Sequence, residues 1–247
     1  MDIRHTLIDI KHILKPHKTS ASKYRLGTNG DGGYIISDLK NISYDALYSY
    51  GSDDNISFEK AFYSTFNVES FTYDHTINAI TDKPDYVHFF KEGVGGRYAP
   101  TGPVNTIESH VINNNHTKCN NLFMQMDVEG HEWESLYVTP DHILDKFAQI
   151  VLEMHFFIDP RASLETLKKL DKNFVITHIH GNNYPVNPWV DINLPKVIEV
   201  TFVRKDLVEI YEVDTDPYPT PLDSPNMKGF PDLKLDWWLH TYELEFP

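Results

Sequence analysis

The chain has 247 residues, 40% of them hydrophobic and 23% charged, which fits one globular domain able to bury a substantial core. Its 36 acidic residues outweigh 22 basic ones for a formal net charge of −14. Affinity for phosphate backbones comes mainly from Lys and Arg, so nucleic acid is not the expected substrate. No apolar run approaches the ~20 residues of a membrane span. The start lacks a signal-peptide pattern, and the single cysteine, Cys119, excludes an internal disulfide; the expected setting is a reducing cytoplasm.

In chain order, Ile3, Leu7, Ile10 and Leu14 share one helical face and predict an amphipathic opening helix that ends before Pro16. The stretch KYRLGTNGDGGYIISD, residues 23–38, places two apolar-flanked arms around a Gly/Asn/Asp tract and reads as a hairpin. Strands are predicted over 45–50, 69–73, 86–90, 121–126, 148–153, 173–179 and 196–204, with helical patterns between several of them. The first six are spaced for crossovers and therefore parallel. The last follows the proline-rich PVNPWVDINLP, which cannot form a crossover helix, and is predicted antiparallel. From Asp214 to Pro231 prolines recur with little periodicity, predicting an irregular strap before a final apolar element. The expected organisation is one domain over 1–247, with a helix-and-hairpin extension at 1–44 and a strap at 214–247.

In an open α/β sheet, ligands bind outside the carboxyl ends of the strands. Gly51, Ser52, Asp53 and Asp54 close the first predicted strand, and Asp74 and His75 the second. Glu92 follows the third, Asp127 to His131 close the fourth, and Glu153 to His155 the fifth. His178 and His180 close the sixth. A glycine allows close backbone approach, and an acid at the next strand end can take both ribose hydroxyls. Neither G-x-G-x-x-G nor G-x-x-x-x-G-K-[ST] is present, which favours a nucleoside cofactor without a pyrophosphate, such as S-adenosylmethionine. The expected cofactor-binding set is Gly51, Ser52, Asp53, Asp74, His75, Glu92 and Asp127.

Several of these residues have plainer readings. Asp53 or Asp54 would cap a helix starting near Ser57, Glu59 would complete a capping box, and the GDGGY glycines would serve only a hairpin turn. Glu153 and His155 share a face of an extended segment, so they read either as a base with its orienting carboxylate or, with Asp127, as ligands of Mg²⁺ or Mn²⁺. His131 and His180 are further candidate catalytic groups beside Asp127 and His155. Trp189, Trp237 and Trp238 would line a sugar-binding face or simply be buried.

Residues 25–36 (RLGTNGDGGYII), 48–59, 122–136 (LFMQMDVEGHEWESL), 150–156 (IVLEMHF), 178–184 (HIHGNNY) and 221–235 together resemble the FkbM-type and related S-adenosylmethionine-dependent methyltransferases. His131 departs from the family, which often has alanine there in D-[VI]-E-G-A-E. The resemblance implies a Rossmann-like methyltransferase fold with seven strands, mostly parallel, one antiparallel. It also implies transfer of a methyl group to a hydroxyl, and the expected acceptor is a sugar, best a nucleotide-linked one from polysaccharide or secondary-metabolite synthesis. A homo-oligomer is compatible with this reading; a nucleic-acid or membrane partner is not expected. A metal-dependent hydrolase built on the same acids and histidines is the main alternative, and a non-catalytic carbohydrate-binding module the third.

Overall fold

Runs such as Ala46–Tyr50 and Leu122–Met126 are buried at every position, the pattern of strands covered on both faces. The computed structural model describes residues 3–97, 104–156, 159–184 and 194–239. It opens with helix α1 (Ile3–Ile13), followed by the short strand β1 (His17–Thr19) and the hairpin β2 (Lys23–Gly27) and β3 (Gly33–Ser37). Then come β4 (Ala46–Tyr50), α2 (Ser57–Phe66), β5 (Ser70–Tyr73), β6 (Val87–Phe90), and the small pair β7 (Gly93–Val94) and β8 (Val104–Asn105). Helix α3 (Ile107–Asn113), β9 (Leu122–Met126), α4 (Glu132–Val138), α5 (Asp141–Leu144), β10 (Phe147–His155) and α6 (Pro160–Leu170) follow. The chain continues through β11 (Phe174–Gly181), β12 (Val197–Arg204) and β13 (Ile210–Val213).

Local chemistry sets several boundaries. The Thr106 side chain accepts from the Ser109 backbone nitrogen and starts α3, and Asp159 does the same for α6 toward Arg161 and Ala162, with Pro160 at the first helical position. Helix α2 stops at Asn67, which adopts a left-handed conformation (φ 56°). Its start has no side-chain cap: the N-cap is Ile56, so neither Asp53 nor Asp54 serves there. Instead, Asp54 Oδ1 accepts from the Thr81 nitrogen at 2.6 Å.

The central sheet has seven strands in the order β11-β12-β10-β9-β4-β5-β6. β12 runs antiparallel to both neighbours, and the pairings β10-β9, β9-β4, β4-β5 and β5-β6 are parallel. This is the seven-stranded, mostly parallel doubly wound sheet that the sequence predicts, with its antiparallel strand inserted between the fifth and sixth parallel ones. Alternate residues feed two cores. Tyr48, Met124, Leu152 and Phe202 face the core shared with residues of α1, α3, α4 and α6, whereas Leu47, Phe123, Val151 and Val203 face the hairpin and α2. No described helix is long and apolar enough to cross a membrane.

From β4 the chain moves outward to β5 and β6, then returns on the other side as β9. The order therefore reverses between β4 and β9, and a crevice opens there at the carboxyl ends. The segment after β13 is irregular, as expected, with an isolated bridge between Tyr218 and Leu235.

Candidate active site

Gly51 and Asp127 flank the reversal point directly. Gly51 has φ +78°, and a Cβ built on it would lie 1.7 Å from the Asp127 carbonyl oxygen. Only glycine allows the two strand ends to approach so closely. One strand further out, Asp74 Oδ2 accepts from the Asp53 nitrogen at 2.9 Å, and its Oδ1 accepts from the Thr76 nitrogen and hydroxyl at 2.7 and 2.6 Å. Asp74 thus ties the loop after β4 to the loop after β5. Ser52 is buried, whereas Asp53 and His75 are exposed. Glu92 is half-buried, with Oε2 3.6 Å from Nε2 of His110, a buried ring stacked on Tyr73. Burial lowers the His110 pKa to about 4, so this imidazole is neutral.

On the other side of the reversal point, the structure gathers Asp127, Glu153 and His155, with one ligand-type atom of each within 4.8 Å of the others. His155 Nε2 lies 3.9 Å from Asp127 Oδ1, 3.6 Å from Glu153 Oε1 and 3.4 Å from Glu129 Oε2. Its Nδ1 lies 3.0 Å from Oε1 of Glu132, which is fully buried and also accepts from the backbone nitrogens of Val128 and Gly130. The sequence reading passed over Glu132, although it is the final acid of the D-V-E-G-H-E stretch. A carboxylate accepts only, so Nδ1 carries the proton and Nε2 is the ring atom presented to the other acids.

The electrostatics follow from burial and crowding. Burial pushes the His155 pKa down, but the hydrogen bond and charge of Glu132, with Asp127 and Glu129, outweigh it and leave it raised. Burial raises Asp127, with Glu132, Glu129 and Asp31 adding repulsion against the opposing pull of His155. Glu153 is raised well above the usual carboxylate range by burial and by Asp127, Glu199 and Asp31. Asp127 Oδ1 and Glu153 Oε2 are buried and have no hydrogen-bond partner among the described residues. Carboxylate oxygens and a neutral imidazole nitrogen are donors suited to Mg²⁺ or Mn²⁺, and the carboxylate–histidine contact from Glu132 is the usual way such a ligand is oriented. The donor set fits a divalent cation.

The other expected residues lie apart from this cluster. His131 is exposed at the N-terminus of α4 and makes no side-chain cap. His180 has both ring nitrogens engaged, Nδ1 at 3.0 Å from Glu199 and Nε2 at 3.0 Å from Asp232, and these acids raise its pKa to about 10 against the downward pull of burial. His178 shares its face but pairs with Asp223 at 2.8 Å. Both histidines therefore hold strap carboxylates rather than sharing one ligand. Glu59 is buried and accepts from the Ser49 hydroxyl rather than closing a capping box. Ring nitrogens of Trp237 and Trp238 bond to the carbonyls of Lys11 and Asp214, which pins the strap; Trp189 lies outside the described residues. The GDGGY tract forms the hairpin turn, packed against Asn55 and Ser57 at the start of α2.

No protein-family profile matches the chain, and no curated protein matches it. Among solved structures, it is similar to Streptococcus pneumoniae Sp1610, a candidate tRNA (m1A22) methyltransferase in complex with S-adenosyl-L-methionine. That match has 10% identity over 72% of each chain and a TM-score of 0.33. A second is the complex of the Haloferax volcanii Trm112 methyltransferase activator with a candidate methyltransferase, at 8% identity, 67% of this chain, 86% of the other and a TM-score of 0.31. Likenesses this loose carry no function to this chain, and its fold class rests on its own strand order.

Proposed function

We propose that this chain is an S-adenosylmethionine-dependent O-methyltransferase of the FkbM-related kind, acting on a sugar hydroxyl. The observation that carries the reading is the strand order. It carries the six parallel strands and one late antiparallel strand that the methyltransferase resemblance implies, and it sets Gly51, Asp74 and Asp127 at three adjacent strand ends around the reversal point. The residues fit the cofactor: Gly51 lets the ends of β4 and β9 approach without a side chain between them, and the Asp74 carboxylate keeps one lone-pair site beyond the three used by its loop contacts. Asp74 would take a ribose hydroxyl, with Gly51, Ser52, Asp53, His75 and Glu92 along the same rim.

When bound, the cofactor supplies a methyl group on a sulfonium, an electrophile that needs positioning more than activation. An alcohol acceptor is a weak nucleophile until its proton is removed or its pKa falls. Asp127 stands at the strand end next to Gly51, Glu153 and His155 at the next one out, and together they would serve that purpose. Glu132 fixes the His155 ring, and Nε2 takes the acceptor proton if no cation is held. Alternatively, Asp127, Glu153 and His155 hold Mg²⁺ or Mn²⁺, which would lower the acceptor pKa. The unpartnered oxygens of Asp127 and Glu153 favour the cation.

Calorimetric titration with S-adenosylhomocysteine is the direct test. No binding to the folded chain at about 1 mM ligand, an affinity too weak to be useful, overturns the reading. Asp74→Ala should weaken cofactor binding by about 2 kcal/mol, the cost of leaving buried polar groups unpaired. Cation binding without cofactor binding would select the hydrolase reading built on the same three donors. A screen of sugars for conversion of S-adenosylmethionine tests the acceptor, and activity confined to peptides would refute it.

A further inference from the structure

Helix α3 docks onto the sheet through His110, and through Asn114 just past its end. Asn114 Nδ2 donates to the Tyr73 and Tyr48 hydroxyls at 2.7 and 3.3 Å. The His110 ring stacks on Tyr73, with ring centres 3.9 Å apart and 18° between the planes, and on Tyr50 at 5.6 Å and 26°. Tyr50 and Tyr73 are the last residues of β4 and β5, immediately before Gly51 and Asp74. The imidazole therefore packs against the strand ends that carry the proposed cofactor residues.

The proton on this ring can be placed. His110 is neutral, its Nδ1 lies 3.3 Å from the Tyr50 hydroxyl, and that hydroxyl makes no other hydrogen bond among the described residues. Tyr50 is fully buried, so its O–H donates to Nδ1 and the ring proton resides on Nε2. The other tautomer would strand the Tyr50 proton and turn an Nε2 lone pair toward the Glu92 carboxylate, 3.6 Å away. With the proton on Nε2, the ring offers Glu92 a donor instead. At 3.6 Å the hydrogen bond is not made, and Nε2 is buried with no partner among the described residues. The His110 side chain is 1% exposed and that of Glu92 29%, so a ligand can reach the carboxylate but not the imidazole. A buried N–H left without an acceptor is costly, and a small rotation of Glu92 removes that cost.

We propose that His110 is a positioning residue of the cofactor site: its Nε2–H takes the Glu92 carboxylate as the cofactor binds and holds that side chain against the nucleoside. The inference rests on the methyl-transfer reading. Glu92 follows β6, one strand further from Asp127 than Asp74. With a ribose hydroxyl on Asp74 and the methyl group toward Asp127, Glu92 lies on the side of the ribose away from the sulfonium. A flexible glutamate loses rotamer freedom when it binds a ligand. A donor fixed by the stack on Tyr50 and Tyr73 selects one of its orientations and lowers that loss.

The test uses the full chain. In a long-range proton–nitrogen spectrum of histidine-labelled protein, His110 should show a bare Nδ1 and a protonated Nε2, its signals assigned by their absence in His110→Gln. S-adenosylhomocysteine should shift the Nε2–H resonance in the unaltered chain and far less in Glu92→Ala. Calorimetry with the same ligand then compares His110→Phe, Glu92→Ala and the double variant. Phenylalanine keeps a ring to stack on Tyr73 and Tyr50 but has no N–H. Each single change should weaken binding about tenfold, the usual effect of losing a hydrogen bond to a charged group. The double variant should bind no more weakly than Glu92→Ala, whereas a purely structural role for His110 predicts losses that add. His110→Gln, which restores an N–H on a side chain of similar reach, should recover most of the affinity. A protonated Nδ1 overturns the proposal, as do additive losses, unchanged affinity in His110→Phe, or equal loss in His110→Phe and His110→Gln. Should His110→Phe not fold, the ligand-induced shift decides alone, and its absence overturns the proposal. If S-adenosylhomocysteine does not bind the unaltered chain, the methyl-transfer reading falls and takes this role with it; binding that ignores His110 overturns the inference alone.

Discussion

Glu132 and His155 form a buried pair in which Glu132 Oε1 accepts a hydrogen bond from His155 Nδ1 at 3.0 Å, while the same oxygen accepts from the Val128 and Gly130 nitrogens. One carboxylate thus holds both the loop after β9 and the ring at the end of β10. Asp127 sits at the start of that loop, so the geometry of Asp127 and His155 depends on one fully buried carboxylate.

Glu132→Gln should therefore lower turnover by about 10- to 100-fold, the usual cost of losing a group that orients a ligand or base. Glu132 also raises the His155 pKa, so its neutralisation should move the acid limb of the pH–rate profile to lower pH. A merely structural defect would lower the whole profile without moving that limb. Cofactor affinity should be nearly unchanged.

His155→Ala should reduce turnover by about 10²-fold or more with cofactor affinity retained, in line with loss of a group that acts only in the transition state. Full activity in both His155→Ala and Asp127→Asn would place the chemistry elsewhere in the crevice.

The native pKa values of Asp127 and Glu153 lie above the ordinary carboxylate values that they regain on unfolding. The folded state then binds more protons, so these two groups lose stability for the fold as pH rises from about 4 through their raised native values. Mg²⁺ or Mn²⁺ should offset that loss by binding only the folded arrangement. Thermal melting at neutral pH should rise with added cation in the unaltered protein and stay flat in Glu153→Gln. A flat response in the unaltered protein removes the cation from the scheme and leaves His155 as the base.

His180, a base, also has a raised native pKa and the same sign of pH dependence. Its native pKa is about 10 against an ordinary value of 6.5, so its pairing with Glu199 and Asp232 stabilises the fold fully below pH 6.5. That contribution is lost as pH rises through 10. Melting curves between these limits should slope downward for the native chain and lose part of that slope in His180→Gln. An identical slope in both would show that the pair contributes nothing measurable.

Gly51→Ala should destabilise the protein by about 2–4 kcal/mol, combining a left-handed backbone with a side chain driven into the Asp127 carbonyl. Denaturant unfolding measures it. A neutral result would mean that the two strand ends separate easily.

The sheet was legible because its strands are short, apolar and bounded by polar turns, and because prolines before β12 forbid a crossover helix. Each of the seven predicted strands lies within a few residues of its position in the structure. Asp127, Glu153 and His155 were legible too, since strand ends of a doubly wound sheet converge by topology. Partner choice was not. His178 and His180 bond to Asp223 and Asp232, some fifty residues on in an irregular strap without periodicity. Glu59 looked like a capping residue because capping is local, but burial against Ser49 required knowing which face of α2 meets the sheet. Glu132 was hidden for the same reason: at the start of a helix, an acid is ordinarily explained by the helix itself.

The strap reaches Glu199 and His180 from the far end of the sequence, and this has a consequence for the order in which the protein comes into being. Asp127, Glu132 and His155 have all been synthesised, and can be paired, well before Asn226 and Asp232 leave the ribosome. A nascent chain that has reached β12 can complete the sheet, yet it holds Glu199 without Asn226 and His180 without Asp232. The last strap residues thus decide when in its biogenesis Glu199 and His180 acquire their full set of partners.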